Sequence, residues 1–182
     1  MSYLLSKVNM LQSIYRGDVN YTMNLWEQFE KQNNQSQNSK GISFHYEKGI
    51  DNQLRNLYLD FAKWLRLKYY FPVHINVYIL DQERVKLLSG VWAYGSFRWY
   101  EKRPPRIKVP SKIEKKLLSE YTIDEVYEQI LSSLVHELSH YFQWVRHLEQ
   151  SNAVSERQAN YYRYRIIDKY KKKKSVHNLN PL

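Results

Sequence analysis

TIDEVYEQILSSLVHELSHYFQWVRHL, residues 122–148, is the stretch that decides the fold. Thr122 with Glu125 three residues later reads as a capping box, and Leu131, Leu134, Val135, Leu138, Phe142 and Val145 follow at helical spacing. The pattern predicts one helix from about residue 123 to about residue 148, buried on much of its circumference. Within it, His136-Glu137-Leu138-Ser139-His140 places two imidazoles at i and i+4, on one face, where both ring nitrogens can aim at a single cation. Glu137 is turned away from that cation and toward a water beside it. Polar groups on a buried helix need partners, and a metal ion is one.

A tetrahedral catalytic zinc takes three protein ligands and leaves the fourth position to water. His147 lies about 10 Å along the axis from His140 at about 1.5 Å per residue, too far for the same ion on a continuous helix, so it is expected at the surface near the helix end. Glu156 is better placed. If Gln150-Ser151-Asn152 turns the chain and a second helix returns antiparallel, His140 and Glu156 each lie about 12 Å from the turn and come level. Ser155 with Gln158 is expected to cap that second helix, and Ala159, Tyr162, Ile166 and Tyr170 form its apolar stripe. The ordinary reading of Glu156 is a first-turn acid favoured by the helix dipole.

The pair of segments His136-Glu137-Leu138-Ser139-His140 and Glu156-Arg157-Gln158-Ala159-Asn160 resembles the gluzincin group of zinc metallopeptidases. The helix and strands ahead of the motif helix are similar to the minimal cytoplasmic zincins of the SprT-like and ImmA/IrrE-like kinds, over residues 51–170. SprT-like proteins take a third His and often add a Cys-rich ribbon, whereas this chain has no Cys and offers Glu156. ImmA/IrrE-like proteins commonly carry a helix-turn-helix partner module and a longer gap before their Glu.

The resemblance implies Zn2+ held by His136, His140 and Glu156, with Glu137 as the general base that hydrolyses a peptide bond. Asn160 shares a face with Glu156 and is a candidate to orient a ligating His. Tyr161, Tyr162 and Arg163 are candidate stabilisers of a developing oxyanion. Zincins usually hold the substrate as an added strand, which makes Trp92-Ala93-Tyr94-Gly95-Ser96-Phe97 the candidate sheet edge. An internal strand bulged at Gly95 is the competing reading of the same residues. The implied partner is a protein or peptide substrate, with oligomeric state undetermined.

A chain of 182 residues with 43% apolar content can bury a real core as one domain with appendages. The expected class is α+β: a small, mostly antiparallel sheet packed on a long helix that precedes it and on the motif helix, with a C-terminal helix returning antiparallel. Residues 1–43 are expected as an N-terminal helical and linker segment, 44–174 as the zincin-like domain and 175–182 as a tail. In the first segment, Leu4, Leu5, Val8 and Leu11, then Leu25, Trp26 and Phe29, suggest two short amphipathic helices before the polar run 31–41. Asp51 caps a helix whose Leu54, Leu57, Tyr58, Phe61, Trp64 and Leu65 form one stripe, ending near Lys68. Val73, Ile75, Val77 and Ile79 then alternate as a half-buried strand, with His74 on the opposite face as a surface or packing residue. Residues 85–100 read as two strands or one bulged strand, and Arg106-Ile107-Lys108-Val109-Pro110 as another.

The start of the chain lacks the cationic, long apolar pattern of an export signal, and no apolar run reaches membrane-spanning length, so a cytoplasmic protein without a membrane partner is expected. The net charge of +10 concentrates in residues 102–116 and 163–174, near Trp99, Tyr100, Tyr161, Tyr162 and Tyr164. Such patches attract nucleic acid or acidic proteins, although a terminal lysine run is more often a solvated helix end. Two further readings follow: a DNA-associated protease or nucleic-acid-binding protein, and a catalytically inactive zincin-fold binding module, against which the intact His136, Glu137 and His140 argue.

Overall fold

The computed structural model describes residues 24–31 and 41–179. Asp51 Oδ1 accepts from the backbone N–H groups of Gln53 and Leu54, which starts helix α1 (Asn52–Lys68) where expected. Strand β1 (Ile42–Tyr46) precedes it and β2 (Ile75–Leu80) follows it. The chain then forms three short strands, β3 (Val85–Lys86), β4 (Trp92–Ala93) and β5 (Ser96–Arg98), before β6 (Arg106–Pro110). Helices α2 (Lys115–Glu120), α3 (Ile123–Val145) and α4 (Asn152–Leu179) complete the described chain.

The class is α+β, but the sheet is not mostly antiparallel. Its order is β1-β2-β6-β5, with β1/β2 and β2/β6 parallel and only β5/β6 antiparallel. The reason is connectivity: α1 carries the chain from the end of β1 back to the start of β2, the crossover that parallel neighbours require. Strands β3 and β4 form a separate antiparallel ribbon. Residues 92–97 are therefore divided: Trp92 and Ala93 belong to the ribbon, whereas Ser96 and Phe97 open β5, the edge of the larger sheet.

Ile75, Val77, Ile79, Ile107 and Val109 point to one face of the sheet and are fully buried against α1 and α3. The capping box of Thr122 and Glu125 is formed at the start of α3. At its other end, Arg146 closes the helix and His147 is exposed with φ 50, a left-handed residue that stops the helix without glycine. Helix α4 then returns against α3, burying Ala159, Tyr162 and Ile166. It continues to Leu179, past the tail boundary expected at residue 175.

Residues 24–31 pack into the same core. They form a short 3-10 turn at Glu27–Phe29 and a bridge from Glu30 to Tyr69, shorter than the helix their apolar residues suggested. Trp26 is fully buried, edge-on to Tyr69 and Phe142. The expected helix around Leu4 to Leu11 lies outside the described residues.

Candidate metal centre

Helix α3 presents His136 and His140 to Glu156 in the second turn of α4, so the helical hairpin brings these three side chains together. The His136 and His140 Nε2 atoms are 3.1 Å apart, and each lies 3.2 Å from an oxygen of Glu156. A first-row divalent ion bound tetrahedrally at about 2.0–2.1 Å spaces its ligand atoms by roughly 3.3 Å, so the donor set fits such an ion.

The protons also fit. Gln143 Nε2 donates to the Ser155 carbonyl at 3.0 Å and to Gln158 Oε1 at 2.9 Å, which turns Gln143 Oε1 toward His140. That oxygen accepts from Ser155 Oγ at 2.6 Å and from His140 Nδ1 at 2.8 Å. In its neutral form His140 therefore carries the proton on Nδ1 and offers a bare Nε2 lone pair to the centre. Burial, and next the neighbouring His140, push His136 down to about 4, so His136 is neutral near pH 7. In its neutral form the His140 lone pair faces a Glu156 oxygen 3.2 Å away with no proton between them, an arrangement a cation satisfies.

Glu137 points between the sheet edge and the hairpin. Burial, and then the negative charge of Glu156, raise its carboxyl from 4.5 to about 8, while the backbone N–H of Phe97 and the Arg163 guanidinium pull it back down. Its seat exists because residue 95 is glycine: a Cβ there would stand 2.6 Å from Glu137 Oε1 and 2.7 Å from its Cγ. Gly95 was legible as a break in the strand pattern, not as a cradle for this carboxylate. Gln143 and Ser155 were not singled out as site residues; a polar residue three positions after His140, on an otherwise buried helix, was the available signal.

Ser155 does not cap α4, which begins at Asn152 with Ser151 Oγ accepting from Val154 N–H at 3.4 Å. One turn earlier than expected, this start leaves the Ser155 side chain free to hold Gln143. Asn160 and Arg163 share the Glu156 face of α4. Asn160 favours the protonated form of His136, although the buried His136 Nδ1 has no hydrogen bond of good geometry. Arg163 Nε donates to Ser132 Oγ at 2.8 Å, and its charge acts on both His136 and Glu137. The two tyrosines point elsewhere. Tyr162 is fully buried on the far side, its hydroxyl accepting from Leu25 N–H and donating to Glu27, and the Tyr161 hydroxyl accepts from Arg165. His74 and His147 lie outside the triad.

A cleft of about 990 Å³ opens onto the three donors and Glu137. The β5 edge with Phe97 and Trp99 forms one wall, the α3–α4 turn with Trp144 and Leu148 the other, and Leu87 and Leu88 of the ribbon its rim. The Arg84 guanidinium and the Tyr94 hydroxyl both donate to Glu114 Oε1, at 2.6 and 2.9 Å, and tie the ribbon to the start of α2. No helix among the described residues is long and apolar enough to cross a membrane. Family models, curated proteins and solved structures were compared with the chain, and none matches it.

Proposed function

We propose that this chain is a zinc-dependent metallopeptidase of gluzincin type. The observation that carries the reading is the convergence of His136, His140 and Glu156 at 3.1–3.2 Å, with the enclosed carboxylate of Glu137 beside them. Zinc, when bound, supplies Lewis acidity that acidifies water and polarises a carbonyl.

The chain's own residues do the rest. His136 and His140 offer their Nε2 atoms, the latter held in its tautomer by Gln143. Glu137 accepts a proton from water and passes it to the leaving amine. Burial and the charge of Glu156 raise this carboxyl, so a proton it accepts is held more firmly than on an ordinary carboxylate, and a bound cation would draw it back toward the ionised form that can accept one. The β5 edge, adjacent to Glu137 through Phe97, provides backbone groups along which an extended peptide can lie. Arg163 is the candidate for offsetting negative charge as it develops beside His136 and Glu137.

Elemental analysis of the purified chain tests the reading. Zinc near one per chain is expected, with both metal and peptide hydrolysis lost in His140→Ala. Full hydrolysis by His140→Ala, or a wild-type chain that binds no divalent metal under saturating zinc, overturns it.

A further inference from the structure

Helices α1 and α3 cover only one face of the four-stranded sheet. On the other face, Asn76, Arg106 and Arg98 stand abreast on β2, β6 and β5, and His45, Tyr78 and Lys108 stand abreast in the next row. His45 is exposed and the other five are half-buried. The helices that pack on the sheet lie against its apolar side, β3 touches β6, and Ser96, which completes the second row on β5, is buried.

The charge on this face is unusual. Arg98 and Arg106 are direct cross-strand neighbours, a like-charge pairing that costs stability, and no carboxylate stands on either row. Among the described residues Arg98, Arg106 and Lys108 have no acidic partner, whereas Lys112 and Lys116, from the same stretch of sequence as Arg106 and Lys108, each have one. The basic runs read from the sequence thus divide: Lys112 and Lys116 are neutralised locally, and Arg106 and Lys108 join Arg98 from a different run. Planar groups lie among these cations. His45 stacks on Tyr78 with ring centroids 4.8 Å apart and 18° between planes, and its Nε2 is 2.9 Å from Asn76 Oδ1. Arg106 sits 5.1 Å from the centre of the Tyr100 ring, and its buried Nε has no hydrogen-bond partner.

We propose that this outer sheet face binds single-stranded nucleic acid. Three uncompensated cations suit any polyanion, but the stacked rings choose among polyanions. An acidic polypeptide offers charge without flat faces, and a duplex keeps its bases stacked inside. A single strand offers phosphates to Arg98, Arg106 and Lys108 while exposed bases lie on the Tyr78–His45 platform. Of the six exposed or half-buried residues in the two rows, Arg98 alone also lines the cleft over the metal centre, and the surface requires no metal.

The test is fluorescence anisotropy of the full chain with labelled 20-nucleotide oligo(dT) and oligo(U) in about 50 mM salt. Saturable binding is expected. Arg98→Ala/Lys108→Ala should weaken it at least tenfold and reduce the slope of log K against log salt by about 1.4, at about 0.7 for each phosphate no longer neutralised. Tyr78→Ala, which removes no charge, should weaken it at least fivefold. Because Lys172 and Lys173 at the end of α4 also attract polyanions, Lys172→Ala/Lys173→Ala is the control, and the Tyr78 effect should persist in that background. Unchanged circular dichroism excludes misfolding as the cause. Absence of saturable binding, binding indifferent to Tyr78→Ala in a folded protein, or equal competition by polyglutamate or a duplex of matched charge each overturns the proposal.

Discussion

Glu137 and Ser139 are two residues apart on α3 and face opposite sides of it, and both are buried. The Ser139 hydroxyl accepts from the Trp26 indole at 2.8 Å and donates to the Val135 carbonyl at 2.9 Å, so its polarity is fully used within the fold. Glu137 is also buried, yet one backbone N–H and a nearby guanidinium do not compensate its charge, and its carboxyl rises to about 8. The back of the helix uses its polar groups to hold the molecule together; the front leaves them unsatisfied, next to an open cleft. Burial is common to both sides. What separates a structural side from a reactive one is polarity that the chain itself does not satisfy.

Glu137→Gln should give the largest effect. Peptide hydrolysis is expected to fall at least about a thousandfold with zinc retained, measured as kcat beside metal content. The same substitution sharpens the contrast through stability. With its pKa raised from 4.5 to about 8, folded metal-free protein holds a proton that the unfolded chain has released, so this contribution is fully present below about 4.5 and is lost as pH rises toward 8. Urea melts of chelated protein at pH 5 and pH 8 should therefore show a smaller loss for Glu137→Gln than for wild type. An equal loss in both proteins would show that Glu137 is not the destabilised group.

Loosening the back comes next. Trp26 is fully buried between Tyr69 and Phe142 and reaches Ser139, so Trp26→Ala should cost about 3–5 kcal/mol. For a chain of this size that is a fall in Tm of roughly 6–20 °C. Zinc affinity should fall with it, because Trp26 holds α3 between the two ligating histidines. A folded variant with wild-type zinc affinity would mean that the two sides are energetically independent.

This contrast was only half legible in the sequence. The front was written in local spacing: the capping box, the i, i+4 histidines and the equal distances of His140 and Glu156 from the turn are properties of one hairpin. The back was not, because Trp26 meets Ser139 across 113 residues of chain, and a short apolar cluster does not name a distant partner. Sheet direction failed for the same reason. Alternation in residues 73–80 predicted β2, but not that β1 would pair with it in parallel through α1. The spread of the basic residues along the chain does not show which of them meet, since charge runs ignore cross-strand register, and that register is what sets Arg98 beside Arg106. Gly95 stood between these cases: visible as a break, its use visible only once Glu137 was packed on it.

Gly95→Ala probes that packing. The new methyl group needs the space of the Glu137 carboxylate, so the side chain must shift by up to an ångström. Displacement on that scale lowers kcat by up to about a hundredfold. Zinc content should stay near wild type because His136, His140 and Glu156 are not touched. Loss of metal together with activity would show that the edge strand supports the whole front rather than Glu137 alone.

The smallest effect is expected at Gln143, which belongs to the front by position and resembles the back by being fully bonded. Gln143→Leu keeps the bulk but removes the acceptor 2.8 Å from His140 Nδ1, leaving the more distant Ser155 hydroxyl at 3.2 Å to hold that proton and the imidazole freer to turn the wrong nitrogen toward the cation. Removing an outer hydrogen bond of this kind costs about tenfold or more in metal affinity. Gln143→Glu separates proton placement from packing. Its carboxylate still accepts from His140 Nδ1 and Ser155 Oγ, while the donors to the Ser155 carbonyl and Gln158 disappear. Competition with a zinc chelator should then rank wild type and Gln143→Glu close together, with Gln143→Leu weaker. If both variants lose affinity equally, Gln143 acts by bracing α4 against α3, and its place is with Ser139 and Trp26 on the structural side of the comparison.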